Sequence, residues 1–204
     1  MSRRRRRKRD PWKGTIDPIA TKFNGDNFRS RLEARWALIF KDLGIQAEYE
    51  PFTLRGKKVG YLPDFHIHNV DFLPHSYGEV TGPLQLEIKH RQYEPTERDG
   101  KKWKLALAHS PALIVAYGIG LHDGTGKFGD DDLVLAAYDD ALKPYYPLAF
   151  YKCIQCHHQW IDVFHNFEGP YSSCPICHSR GQTHDFDAAY QRAINYRFDY
   201  RFAS

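Results

Sequence analysis

The sequence predicts a mixed α/β core followed by a small cysteine-bearing module. Three observations carry that expectation. Apolar residues recur at steps of three and four near residue 30, then at steps of two, then in a continuous β-branched run. The resulting order of helix, three strands, helix, strand and strand is that of a mixed sheet flanked by helices. All four cysteines fall in one late segment rich in histidine and aromatic residues. At 204 residues the chain suits one principal domain plus an accessory unit, and a 42% hydrophobic content can fill a packed core. No stretch approaches the roughly 18 apolar residues needed to cross a bilayer. No apolar run follows the N-terminal RRRRRKR, so no secretory signal is expected either. A cytoplasmic protein without a membrane partner is therefore expected.

Charge divides unevenly along the chain. Of 29 Lys and Arg, seven lie in Arg3–Arg9, leaving 22 against 25 Asp and Glu in the remainder. The basic character thus belongs to a tail, which with a linker is expected to occupy residues 1–24 without order. Such a run can neutralise phosphates without reading sequence, or act as a solubilising tail or a nuclear-import-like address.

Taken in order, Asn24-Gly25-Asp26-Asn27 supplies turn and cap chemistry for a helix over FRSRLEARWALIFKDLGI. Its stripe is Phe28, Leu32, Trp36, Ile39, Phe40 and Leu43, and Gly44 ends it. Strands follow at about 46–54, 59–68 and 84–90, with RGKK as the turn between the first two. ERDGKKWKLALAH reads as a helix over 97–109, PALIVAYG as a buried strand and DDLVLAAY as another. The loop between them contains Gly126-Lys127 but fails the phosphate-loop pattern, since Phe128 stands where Ser or Thr is required. The core is expected to span 25–148, the cysteine module 149–181, and a closing helix 182–204. That helix either packs on the core or contacts nucleic acid through Arg192, Arg197 and Arg201, interleaved with Tyr196, Phe198 and Tyr200.

The cysteine spacing is specific. Cys153-x2-Cys156 and Cys174-x2-Cys177, 17 residues apart, match a four-thiolate structural zinc site. Disulfides are disfavoured in an intracellular chain. His157, His158, His165 and His178 are near enough to substitute, but four thiolates already complete a tetrahedral shell. A protein partner or a second copy of the chain is a further expectation for this module.

In LQLEIKH, Leu84, Leu86 and Ile88 alternate with Gln85, Glu87 and Lys89. In YLPDFHI the same alternation sends Phe65 and Ile67 one way, and Asp64 and His66 the other. Two neighbouring strands thus each project an acid from a polar face. Converging carboxylates offer hard oxygen ligands suited to Mg2+ or Mn2+. Lys89, on the face of Glu87, can orient an attacking water and offset charge on a phosphate. Taken singly, Asp64 reads equally as a turn acid, and Glu87 with Lys89 as a surface ion pair.

Together, Pro63-Asp64, 22 intervening residues and Glu87-Ile88-Lys89 resemble the PD-(D/E)xK signature of the restriction-endonuclease-like nuclease superfamily. Glu33 in RSRLEARWA is similar to that superfamily's extra acidic position. More narrowly, SRLEARWALIFKDLGI, YLPDF, LEIKH, the CxxC pairs and AAYQRAINYRF resemble phage or prophage members, over about residues 25–204. The resemblance implies a restriction-endonuclease-like core and a C-terminal zinc ribbon. It implies that Asp64, Glu87 and the Ile88 carbonyl bind the catalytic metal, that Lys89 acts on the water, and that Glu33 is an outer or second-metal carboxylate. The RecB-like Gln and Tyr are absent from the next helix, which reads KKWKLALA. DNA in duplex, single-stranded or branched form is the expected substrate ahead of RNA. Arg29, Arg31, Arg35, Lys101, Lys102 and Lys104 are the expected phosphate contacts. The alternative is a non-catalytic nucleic-acid-binding or partner-recruiting protein on the same scaffold.

Overall fold

A computed structural model describes residues 18–57, 59–72, 83–90, 93–118, 135–138, 144–163, 173–179, 181–183 and 186–198. Asn24 and Gly25, at φ 52° and 98°, close a hairpin between β1 (Thr21–Phe23) and β2 (Asp26–Phe28). An Asn-Gly pair with both φ positive gives the tight turn whose twist matches paired strands. Residues 21–23, read from sequence as linker, and Phe28, read as helical, are both taken into this hairpin. Helix α1 (Arg31–Leu43) accordingly begins after Ser30, whose hydroxyl accepts from the Glu33 N–H at 3.2 Å. It ends at Gly44 in the left-handed region, where the Ile45 N–H reaches the Phe40 carbonyl at 2.8 Å.

The expected strand 46–54 shortens to β3 (Ala47–Tyr49). Around RGKK, β4 (Leu54–Arg55) and β5 (Gly60–Tyr61) form a separate two-stranded hairpin. The expected strand 59–68 splits because Pro63 offers no N–H to a ladder. Its second half, β6 (Phe65–Ile67), joins the main sheet, and β7 (Asp71–Phe72) follows. Strand β8 (Leu84–Lys89) then runs parallel to β9 (Leu113–Tyr117), with α2 (Glu97–Leu107) between them in sequence. A parallel pair needs a crossover of this kind. Thr96 and Asp99 form a reciprocal capping box at the start of α2.

With β10 (Leu135–Tyr138), the strands β3-β6-β8-β9-β10 make a mixed five-stranded sheet, and the protein is α/β. Long β11 (Pro144–Cys153) pairs with β10 and runs without a break into the cysteine segment. There it pairs with β12 (Gln159–Val163) and β13 (Gly181–Thr183), while β12 lies parallel to β7. Helix α3 (Phe186–Asn195) packs on α1, with Ala189, Tyr190 and Ala193 buried. Beyond it, Tyr196 and Phe198 meet the Phe23 ring edge-on, so these two aromatics pack back on the core. Tyr200 and Arg201 lie outside the described residues, as do Gln92, His165 and residues 119–134. Among the described residues, no helix is long and apolar enough to cross a membrane.

The sheet has two unequal faces. Phe65, Ile67, Leu84, Leu86, Ile88 and Ile114 bury one face in the main core with α1. On the other, Leu113, Val115 and Tyr117 meet Leu54 and Tyr61 of the small hairpin and Trp103 and Ala106 of α2. LQLEIK is therefore not a strand with a wet side: Gln85 and Glu87 are only 1% and 5% exposed. The second layer, which alternation alone does not reveal, covers them.

Candidate active site and metal-binding cluster

The ladders bring three acids into one row. Phe65 pairs with Tyr49 on one side and Leu86 on the other, so one residue further Asp64 lies between Glu50 and Glu87. The Glu50 N–H donates to the Asp64 carbonyl at 3.1 Å. Glu50 holds φ 45°, a left-handed conformation that residues with a side chain rarely adopt. Asp64 is 3% exposed, in the bend that Pro63 creates.

Each oxygen of Asp64 and Glu87 has a donor. The Arg29 guanidinium meets Asp64 Oδ1 at 2.5 Å, and the Ile88 backbone N–H donates to Oδ2 at 2.7 Å. Lys89 Nζ donates to Glu87 Oε1 at 2.5 Å, and the Tyr61 hydroxyl to Oε2 at 2.8 Å. Lys89 also lies over the Tyr93 ring, 4.9 Å from its centre. Tyr93 is held in turn by its hydroxyl on Asp99, in the α2 capping box. On the far side, Arg29 reaches Glu50 Oε1 with Nε at 2.5 Å.

Glu33 stands one step away from this row. Its oxygens accept from the Ser30 hydroxyl at 2.9 Å, the Tyr49 hydroxyl at 2.5 Å and the Arg29 backbone N–H at 3.1 Å. A helix cap and a phenol thus already account for it, and Arg29 links it to Asp64. The expected basic contacts divide similarly. Arg29 turns inward onto acids, and Lys101 pairs with Glu97 one helical turn away at 2.6 Å. Lys104 is exposed, whereas Arg31, Arg35 and Lys102 are half-buried. His66 stacks on His68, and burial holds its imidazole below the ordinary range, assisted by the His68 charge. His90 is exposed beside Tyr93.

Burial pushes the Asp64 carboxyl well above the ordinary carboxylate range, and the charges of Glu87 and Glu33 add to this. The Ile88 N–H and the Arg29 cation oppose the shift without cancelling it. Burial, together with the Glu87 charge, likewise keeps the Tyr61 phenol protonated and donating. Two buried carboxylates side by side call for positive charge, and their oxygens are the hard ligands that Mg2+ or Mn2+ takes. Glu33 forms no metal-ligand group with them: among the described residues, the four cysteines, whose sulfurs all lie within 4.8 Å of one another, are the one group of three or more His, Cys, Asp or Glu that could hold a metal ion.

Those four thiols form the second site. Cys153 and Cys177 sulfurs lie 3.4 Å apart, Cys156 and Cys174 3.5 Å, and Cys156 and Cys177 3.6 Å. Such separations are far beyond a disulfide bond and near the edge of about 3.8 Å in a tetrahedron with 2.3 Å metal–sulfur bonds. The two knuckles share one geometry. His157 and His178, at φ 61° and 57°, each donate their N–H to the carbonyl of the first cysteine, Cys153 or Cys174. The N–H groups of Gln155 and Cys156 point at the Cys153 sulfur, both at 3.4 Å. His158 stays out of the cluster, stacking on Trp160 and meeting Asp71 at 2.8 Å. The thiols therefore can hold a metal ion such as zinc.

Sequence reasoning missed Glu50, Tyr61, Tyr93 and Asp99. The alternation in EYE places Glu48 and Glu50 on one face, and TERD carries a capping pattern, so two of the four had a local signal. Tyr61 and Tyr93 had none. Comparison with protein-family models, curated proteins and solved structures gives no significant match. Fold and sites together define an α/β protein with a buried acidic row on its sheet and a four-cysteine cluster in its C-terminal region.

Proposed function

We propose that the protein is a divalent-metal-dependent nuclease that hydrolyses DNA phosphodiester bonds, with the four cysteines holding a structural zinc in a ribbon. One observation carries this reading: Asp64 lies directly beside Glu87, with Lys89 bound to Glu87. Asp64, Glu87 and the Ile88 carbonyl would hold Mg2+ or Mn2+, which supplies Lewis-acid polarisation of a phosphoryl oxygen and a more acidic bound water. Lys89, fixed between Glu87 and the Tyr93 ring, orients the attacking water and offsets charge growing on the phosphate. Tyr61 holds the second Glu87 oxygen so that the carboxylate does not turn. The exposed bases of α2 and the basic N-terminal run serve phosphates beyond the reacting one.

A second reading has its own observation. All four oxygens of Asp64 and Glu87 already have protein donors, as in a closed scaffold network, and this favours a non-catalytic nucleic-acid-binding protein. A panel of labelled duplex, single-stranded, branched and RNA substrates, with Mg2+ or Mn2+, separates the two. The nuclease reading predicts cleavage of DNA that EDTA and Lys89→Ala each abolish. Binding without cleavage of any substrate in either metal sinks it.

A further inference from the structure

Arg29, expected from the sequence as a phosphate contact, is turned onto carboxylates instead. It lies between β2 and the Ser30 cap, and that position turns its side chain across the open end of the acidic row. Nη2 meets Asp64 Oδ1 at 2.5 Å and Nε meets Glu50 Oε1 at 2.5 Å, while 54% of the side chain stays exposed. Its backbone is pinned separately, because its N–H reaches the Tyr49 hydroxyl at 2.9 Å and Glu33 at 3.1 Å. The backbone is therefore held independently of the guanidinium, which is partly open to solvent. Its removal would leave the Asp64 side chain with the Ile88 N–H as its donor among the described residues.

A metal ion on Asp64 and the guanidinium compete for the same charge. Two cations on one carboxylate would stand roughly 4 Å apart, close enough for strong repulsion inside a protein. We infer that Arg29 is the resident counter-cation of the acidic row, and that a divalent metal binds Asp64 only by displacing it. The inference rests on the metal-binding part of the proposed function and deepens it. Metal loading and release of Arg29 are then one event, and the apparent metal affinity is set partly by how firmly Asp64 and Glu50 hold the guanidinium. The freed, half-exposed cation is delivered beside the loaded metal, where a phosphate must approach.

The test is calorimetric titration of zinc-replete, full-length protein with Mn2+, comparing wild type, Arg29→Gln, Arg29→Lys and Asp64→Asn. Arg29→Gln is expected to bind Mn2+ about fivefold or more tightly, Arg29→Lys to stay near wild type, and Asp64→Asn to lose the site. Thermal melts give a second readout. Arg29→Gln should melt lower than wild type without Mn2+ and gain more on its addition. Equal or weaker Mn2+ binding by folded Arg29→Gln overturns the exchange, even where the wild type cuts DNA. Tighter binding by Arg29→Gln with no cleavage by any variant upholds the exchange and removes the nuclease reading. Absence of Mn2+ binding in all four proteins overturns both.

Discussion

In the proposed nuclease Lys89 is the side chain on which the chemistry would turn, because its amine is held from two directions. Glu87 holds it at 2.5 Å and the Tyr93 ring lies beneath it at 4.9 Å. Replacement by alanine should lower kcat by about 100-fold or more while circular dichroism stays unchanged. Asp64 makes a different prediction. Its native carboxyl is raised by burial and by Glu87, so its contribution to stability is fully present below the ordinary aspartate value of about 4. That contribution is lost as pH rises through the raised native value. In urea melts without divalent metal, the stability of wild type relative to Asp64→Asn should therefore fall as pH increases over that window. A difference that grows with pH would contradict the assignment. That Asp64, Glu87 and Lys89 lie together was legible because strand alternation selects a face. The place of Tyr61 and the inward turn of Arg29 were not, since each reaches the row through a hairpin that no short window encodes.

At the scale of elements, legibility followed the range of the forces. Helix α1 is written in its stripe and in Gly44, and the two-residue turn in Asn24-Gly25. Its starting point was misplaced because β1 pairs with β2 and takes Phe28 away from the helix. Ser30, the true cap, also donates to Glu33, whose carboxylate anchors the Arg29 backbone. Ser30→Ala should cost about 1 kcal/mol in chemical denaturation. It should also loosen the Arg29 segment, visible as faster amide exchange at Arg29. Unchanged stability and exchange would mean that the cap does not organise this corner. The strand reading 59–68 failed on one residue, Pro63, which detaches β5 from β6 and creates the bend where Asp64 sits. The wet-face reading of LQLEIK failed because α2 and the small hairpin cover it, a tertiary event.

At the scale of the molecule, one sheet path links the two sites. β11 leaves the core beside β10 and ends at Cys153, while β7 reaches back to β12. His158 on Asp71 and Gln159 on the Leu43 carbonyl tie the knuckle strands to the core. The cysteine cluster was the most legible feature, since a CxxC knuckle is a local geometry. The prediction is one zinc per chain by metal analysis, with zinc affinity that rises with pH because thiols must lose protons to bind. Among the four thiols those protons are unevenly held. Hydrogen bonds from Ser179 draw the Cys177 thiol down to about 6. The His158 N–H draws the Cys156 thiol down, but loss of solvent and the Cys153, Cys174 and Cys177 sulfurs together push it up to about 12. Chelation should unfold β12 and β13 before the five-stranded sheet, seen as early loss of amide protection in those two strands. Intact disulfides and no zinc would refute the ribbon.

The decisive question is whether the acidic row takes a metal. Anomalous diffraction from crystals of zinc-loaded protein soaked in Mn2+ asks this directly. The predicted result is a manganese peak on Asp64, Glu87 and the Ile88 carbonyl, with the Arg29 guanidinium withdrawn from Asp64. Saturating Mn2+ that leaves Arg29 on Asp64 and no ion in the row would contradict it.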